Sequence, residues 1–183
     1  MPNGANFVTP HDWNNASPLA AERFQRIADN LQNLHERLTT PPSCRAFNSA
    51  ALPTTNGIDF LITLNSERWD THNMHSTSTQ TSRLVVPNGW PGVYSIVGHV
   101  RFAGHATGYR AAYLRINGTT RVGQQDIPSI GANPMAVTAA TLAKLAVGDY
   151  VEMLVWQNSG TGLNVESQAQ YSPELTMTWI SAG

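Results

Sequence analysis

With 183 residues, 41% of them hydrophobic and only 13% charged, the chain can bury one sizeable core and carries about half the usual share of charge. A net charge of −1 with no cluster of Lys and Arg excludes the electrostatic footprint of a nucleic-acid binder or of a protein that inserts into or lies on an anionic membrane. The single cysteine, Cys44, excludes an intrachain disulfide and a thiolate metal cluster, and no apolar run approaches the roughly 18 residues of a membrane span.

Residues 1–16 show no periodicity and read as an extended N-terminal arm. Their opening, MPNGANFVTP, has neither the basic region nor the apolar stretch of a signal peptide, so the chain is expected to be made in the cytoplasm. Ser17 followed by Pro18 is a helix start: a hydroxyl for the free amides, then a residue whose missing N–H costs nothing at the first helical position. The helix is expected over 17–38. Along it Phe24, Leu31 and Leu38 fall at one heptad position and Ala20, Ile27 and Leu34 at the other, with polar residues between. A core-facing helix shows a broader stripe than this, so self-association is preferred over packing on the chain's own domain. The breaker cluster TTPPS makes 39–43 a Pro-rich linker, and 44–183 is the head domain.

Within the head the period becomes two. VYSIVGHVRF (93–102) sets Tyr94, Ile96, Val100 and Phe102 with Gly98 on one face, and Ser95, His99 and Arg101 with Val93 and Val97 on the other. Similar segments lie at 58–64, 109–116, 119–125, 135–145, 149–157, 163–168 and 175–180. MAVTAATLAKL (135–145) could be helical on propensity, but Val137, Thr138 and Thr141 within an alternating pattern favour a strand. Asn117-Gly118 is the strongest hairpin signal in the chain. Short strands without intervening helices point to an antiparallel sandwich or barrel.

The order PGVYSIVGHVRF, LRINGTTR, LAKLAVGDYVEMLVWQNSG and LTMTWI resembles the globular heads of complement component one-q and its tumour-necrosis-factor-like relatives. The matching residues are Gly92 with Tyr94, Asn117 with Gly118, and Leu145, Gly148, Asp149 and Val151, over roughly residues 44–183. LTMTWI lacks the glycine usual in the closing strand of the animal proteins. The resemblance implies a mainly β, antiparallel ten-strand jelly-roll sandwich assembled as a homotrimer. RWDTHNMHS followed by SRLVVP is similar to a bacterial and phage subset of such heads. The stretch TPHDWNNASPLAAERFQRIADNLQNL, through Thr9, Pro10, Trp13, Ile27, Asp29, Asn30 and Leu31, resembles the opening of phage tail and fibre proteins, although Phe24 stands where asparagine is common.

Chemistry offers little. GxSxG, HExxH, a P-loop and a paired-carboxylate signature are all missing, so no catalytic residue, no enzyme activity and no cofactor are expected. Asp70, His72 and His75 in WDTHNMHS are candidate metal ligands, but a zinc site wants a further ligand and the segment reads as a loop between strand 58–64 and SRLVVP, so no metal is expected. Tyr94, Trp156 and Trp179 alternate with apolar neighbours and are expected in the core or at a subunit contact. Trp69 and Trp90 fall at loop or turn positions and are the candidates for exposed recognition. The expected function is a non-enzymatic virion structural protein: a minor tail, fibre or head-decoration protein. Its N-terminal region would join other virion proteins and its trimeric head would attach to a host cell-surface glycan or protein. A purely structural capsid- or tail-stabilising trimer, and a bacterial ligand-binding or secreted domain, remain open beside it.

Overall fold

The structure, a computed structural model, describes residues 21–169 and 171–183. The arm over 1–16, the Ser17-Pro18 start, Ala20 and the matches at Thr9, Pro10 and Trp13 lie outside these residues. The chain divides into Met1–Pro41 and Pro42–Gly183.

In the first unit one helix, α1 (Ala21–Thr39), is described. Side-chain pairs one turn apart, Gln25 to Asp29 at 2.8 Å and Gln32 to Glu36 at 2.9 Å, brace its polar surface. The hydroxyls of Thr39 and Thr40 bond back to the carbonyls of His35 and Glu36, closing the last turn before Pro41. Thr39 therefore belongs to the helix rather than to the linker. Phe24, Leu31, Leu34 and Leu38 are exposed by 59%, 61%, 47% and 74%, while Ile27 is half-buried. Most of the apolar seam is thus open.

The second unit contains β1 (Ser43–Phe47), β2 (Leu52–Thr54), β3 (Phe60–Leu61), β4 (Ser66–Asp70), β5 (Arg83–Val85) and β6 (Gly92–Phe102). They are followed by β7 (Tyr109–Ile116), β8 (Thr120–Pro128), β9 (Met135–Leu145), β10 (Tyr150–Gln157), β11 (Leu163–Val165) and β12 (Glu174–Ser181). Sheet one runs β2-β11-β6-β12-β1-β4 with β9 along the other edge of β6; sheet two runs β3-β10-β7-β8 with β5 also on β10. The pairings between these strands are antiparallel. This is a jelly-roll sandwich, with twelve strands rather than ten because several are pieces of two or three residues.

The core lies between the sheets and follows the alternation. Tyr94, Ile96, Val100 and Phe102 of β6 are fully buried, each such side chain contributing roughly 1.5–3 kcal/mol of transfer free energy. They meet Ala112 and Leu114 of β7 and Val151, Met153 and Val155 of β10 in one cluster. Gly98 permits the close approach of the sheets: a Cβ there would lie 2.6 Å from Met153 Sδ and 3.1 Å from Leu114 Cδ2. Asn117 and Gly118 both take positive φ, 51° and 72°, as the hairpin between β7 and β8 requires.

Three expectations change. The strand over 58–64 shrinks to Phe60–Leu61, because the chain crosses there from sheet two to sheet one; Ile62 and Leu64 remain buried, and their amides bond to the carbonyls of Met153 and Thr81. Trp69 and Asp70 belong to β4, not to a loop, since β4 pairs with β1. β1 itself begins at Ser43, inside the expected linker.

Candidate binding surfaces

The WDTHNMHS segment is held by its own side chains. Asp70 Oδ1 accepts from the amides of His72 and Met74 at 3.1 and 3.0 Å, and Oδ2 from that of His75 at 2.8 Å. This carboxylate folds the turn, and Met74 plugs it into the core at 1% exposure. The ring of His75 is fully buried, with Nδ1 2.9 Å from Glu67 and Nε2 3.2 Å from the Thr81 carbonyl. His72 lies edge-on to Trp90, its ring centroid 5.3 Å away, and Trp90 meets Trp179 in the same manner at 5.2 Å. The three candidate ligands thus serve the turn and do not converge. Among the described residues no group of three or more His, Cys, Asp or Glu is placed to hold a metal ion. Burial, reinforced by the charges of Asp70 and Glu67, pushes the Cys44 thiol far above its ordinary range, so it stays protonated.

The tryptophans divide by strand register. Trp90 is an anchor for this turn rather than an exposed recognition residue. Trp69 is 43% exposed, its Nε1 donating to Ser43 Oγ at 3.0 Å and its ring 5.8 Å from the Arg45 guanidinium. Tyr94 is in the core, its hydroxyl donating to the Trp90 carbonyl at 2.7 Å, and Trp179 packs against the core. Trp156 points away from the core, because Val155, its neighbour on β10, takes the inward position.

The outer face of sheet one carries an uncharged patch at its centre, bordered by Arg45, Arg101 and Lys144. Across β12, β6 and β9, Thr176, Val97 and Ala140 form one row, Thr178, Ser95 and Leu142 the next, and Glu174, His99 and Thr138 a third. Val97 is 36% and Leu142 66% exposed. Glu174, nearly buried, is clamped by Arg45 of β1 and Arg68 of β4, and Arg68 lies 4.5 Å over the Phe47 ring.

The outer face of sheet two is charged and grooved. Glu152 of β10 is nearly buried and accepts from Ser82, Arg83 and Arg115. One row beyond Glu152, Leu154, Tyr113 and Gln124 lie side by side on β10, β7 and β8; in the next, Trp156, Ala111 and Asp126. Ala111 leaves a depression between its larger neighbours, a groove of about 300 Å³ lined by Asp59, Ala111, Tyr113, Arg121, Gln124, Asp126 and Trp156. Arg121 donates to Asp59 at 2.7 Å and to the Tyr113 hydroxyl at 2.9 Å, and its guanidinium lies 3.8 Å over the Tyr113 ring. Burial, with Asp59 beside it, pushes the Tyr113 phenol up, so it stays neutral. Of these lining residues the sequence had singled out only Trp156. The adjacent alanines within YRAAYLRI were the available signal, two small side chains between tyrosines on a strand.

No family model matches the sequence, and no curated protein matches it. Solved structures do match in fold. The globular domain of zebrafish complement 1qA protein is 14% identical, with a TM-score of 0.53 over 78% of this chain and 99% of that one. Murine APRIL at pH 5.0 is 11% identical with a TM-score of 0.58, over 77% of this chain and 100% of that one. The Eiger TNF of S. frugiperda is 15% identical with a TM-score of 0.55, over 78% of this chain and 95% of that one. At such identities the likeness is one of fold: the head is an antiparallel jelly roll of the complement-one-q and tumour-necrosis-factor type.

Proposed function

We propose that this chain is a non-enzymatic attachment protein of a virus particle, a homotrimer with jelly-roll heads and an N-terminal coiled-coil helix. The observation that carries the reading is the outer face of sheet one. There Thr176, Thr178, Ser95, Val97, Ala140 and Leu142 form an uncharged patch that leaves Val97 and Leu142 open, with Arg45, Arg101 and Lys144 at its borders. Such a surface is covered when neighbouring copies of the chain close round a three-fold axis. The open seam of Phe24, Leu31, Leu34 and Leu38 supports the same assembly, since a narrow heptad stripe is covered by neighbouring helices.

The virion assignment rests on the phage-like opening and on RWDTHNMHS. In this reading the chain is made in the host cytoplasm, the N-terminal region joins other virion proteins, and the heads project toward the host surface. Three weak sites on one rigid trimer, repeated over a particle, supply avidity that no single head needs. Light scattering on the full chain tests the assembly: three-chain mass is expected, and a strict monomer overturns it. Labelling intact particles with an antibody against the head tests the placement. A label at the tail tip or fibre agrees with attachment, and absence from purified particles overturns the virion role.

A further inference from the structure

We infer that the groove over Ala111 on sheet two binds a neutral saccharide. This deepens the attachment reading and rests on it for its biological purpose, but its geometry stands alone. Ligand sites combine an apolar surface with a few convergent polar groups, and volumes run from roughly 300 to 1,000 Å³. At about 300 Å³ the groove suits one sugar unit, with its neighbours running out along the open ends.

The chemistry of the walls selects the ligand. Trp156 forms one wall on β10, and an indole face packs against the C–H face of a pyranose ring. Asp126 and Gln124 stand on β8 across the Ala111 and Tyr113 floor, with Asp59 and Arg121 completing the rim. The two carboxylates accept from sugar hydroxyls, while the Gln124 amide and the Arg121 guanidinium donate to them. A vicinal diol needs such a mixture, because each hydroxyl is both donor and acceptor. Arg121 offsets the charge of Asp59 at 2.7 Å, and the Gln124 amide holds Asp126 Oδ2 at 2.7 Å while leaving its charge in place. The rim is therefore net negative by one charge. That residual charge repels a sialylated or phosphorylated glycan and accepts an uncharged one.

The rim is built before any ligand arrives. Gly123, with φ +63°, forms the bulge that re-aims β8 opposite Tyr113 and Leu114, and a Cβ there would meet the Ala140 carbonyl oxygen at 2.8 Å. Gln124 and Asp126 are thereby spaced along the groove on one side of the strand. The groove also lies on the sheet opposite the face proposed for subunit contact, so a trimer would present three copies.

The test is saturation-transfer NMR of the full chain against methyl glycosides of glucose, galactose, mannose and N-acetylglucosamine, and against short neutral oligosaccharides built from them. Transfer to at least one is expected. Asp126→Ala, which removes an acceptor, and Ala111→Leu, which fills the floor, are each expected to weaken binding by about tenfold or more with no change in the mass of the assembly. If no neutral sugar receives transfer, or if both variants bind as the parent does, the inference fails. Preference for sialyllactose, or for N-acetyl-lysine amide as a cationic probe, overturns it as well. Sugar binding by a monomer would sink the trimer and leave the groove standing. A trimer without sugar binding would do the reverse.

Discussion

The two outer faces of the sandwich begin from the same alternation and end with opposite chemistry. On sheet one the outward residues of β6, β9 and β12 are mostly Ser, Thr, Val, Ala and Leu, and the one carboxylate among them, Glu174, is tied down by two arginines. On sheet two the outward residues include Glu152, Arg115, Trp156, Gln124 and Asp126, with a small residue, Ala111, opening a groove in their midst. In the readings proposed above, the uncharged patch meets another copy of the chain, whereas the charged and recessed face meets water and a small polar ligand. The core behind both faces is the same, so the two faces differ in their outward positions alone.

The largest break in this comparison is expected from Val97→Glu. In the trimer reading it sets an unpaired charge in each of three contacts, and the assembly should dissociate to single chains by light scattering; an intact trimer would place the contact elsewhere. Arg110→Met comes next. Arg110 is fully buried beside Ala111 and donates to the carbonyls of His105, Thr107 and Tyr109. Leaving those acceptors unpaired should cost about 2–4 kcal/mol in urea unfolding and disturb the groove before the neutral face.

Polar replacement of Leu31 and Leu34 together should weaken the assembly without undoing the fold of the head, read as a mass that falls on dilution where the parent's does not. If the seam plays no part in assembly, the two proteins will dilute alike. The smallest effect is one of pH. Burial raises the phenol of Tyr94 in the core, and burial with Asp59 raises that of Tyr113 under the groove, both above the ordinary value of 10.0. A folded-state pKa raised above the unfolded one gives stability that is complete below the unfolded value and lost as the pH climbs past it. Urea midpoints should therefore be insensitive to these groups below about pH 9 and fall above about pH 10. Tyr94→Phe and Tyr113→Phe should each flatten part of that fall, and an unchanged slope in both would remove the phenols as its cause.

Much of the architecture was legible along the chain. In β6 the pattern named the inward face, Tyr94, Ile96, Gly98, Val100 and Phe102, because a strand between core and surface must alternate. Asn117-Gly118 named its hairpin because few other pairs tolerate two positive φ values. β1 was hidden by its neighbours: Cys44 and Ala46 alternate inward, yet they are small, and the strand begins at Ser43 directly after two prolines. Trp156 was ambiguous for a different reason. Met153, Leu154 and Val155 form a continuous apolar run, since sheet two buries even outward residues such as Leu154. Periodicity cannot choose a face in such a strand.

The candidate sites divide in the same way. Asp70, His72 and His75 are close in sequence, and proximity in sequence suggested a cluster. Their hydrogen bonds instead run to backbone amides, to Thr71, to Glu67 and to Thr81, as the economy of a tight turn requires. The groove residues come from four separate segments, and nothing local joins Asp59 to Arg121 or Trp156 to Asp126.

The sequence by itself determined the antiparallel strands, the Asn117-Gly118 hairpin and the inward face of β6, because these follow from local periodicity and turn stereochemistry, while the jelly roll was what its resemblance to complement-one-q heads implied. Only the tertiary structure decided that Trp90 is an anchor, that Trp156 faces outward, and that an alanine lies in register between a tryptophan and an aspartate. Such facts depend on which strands pair and in what register, and pairing over distances such as that between Trp156 and Ala111 is set by the packing of the whole core.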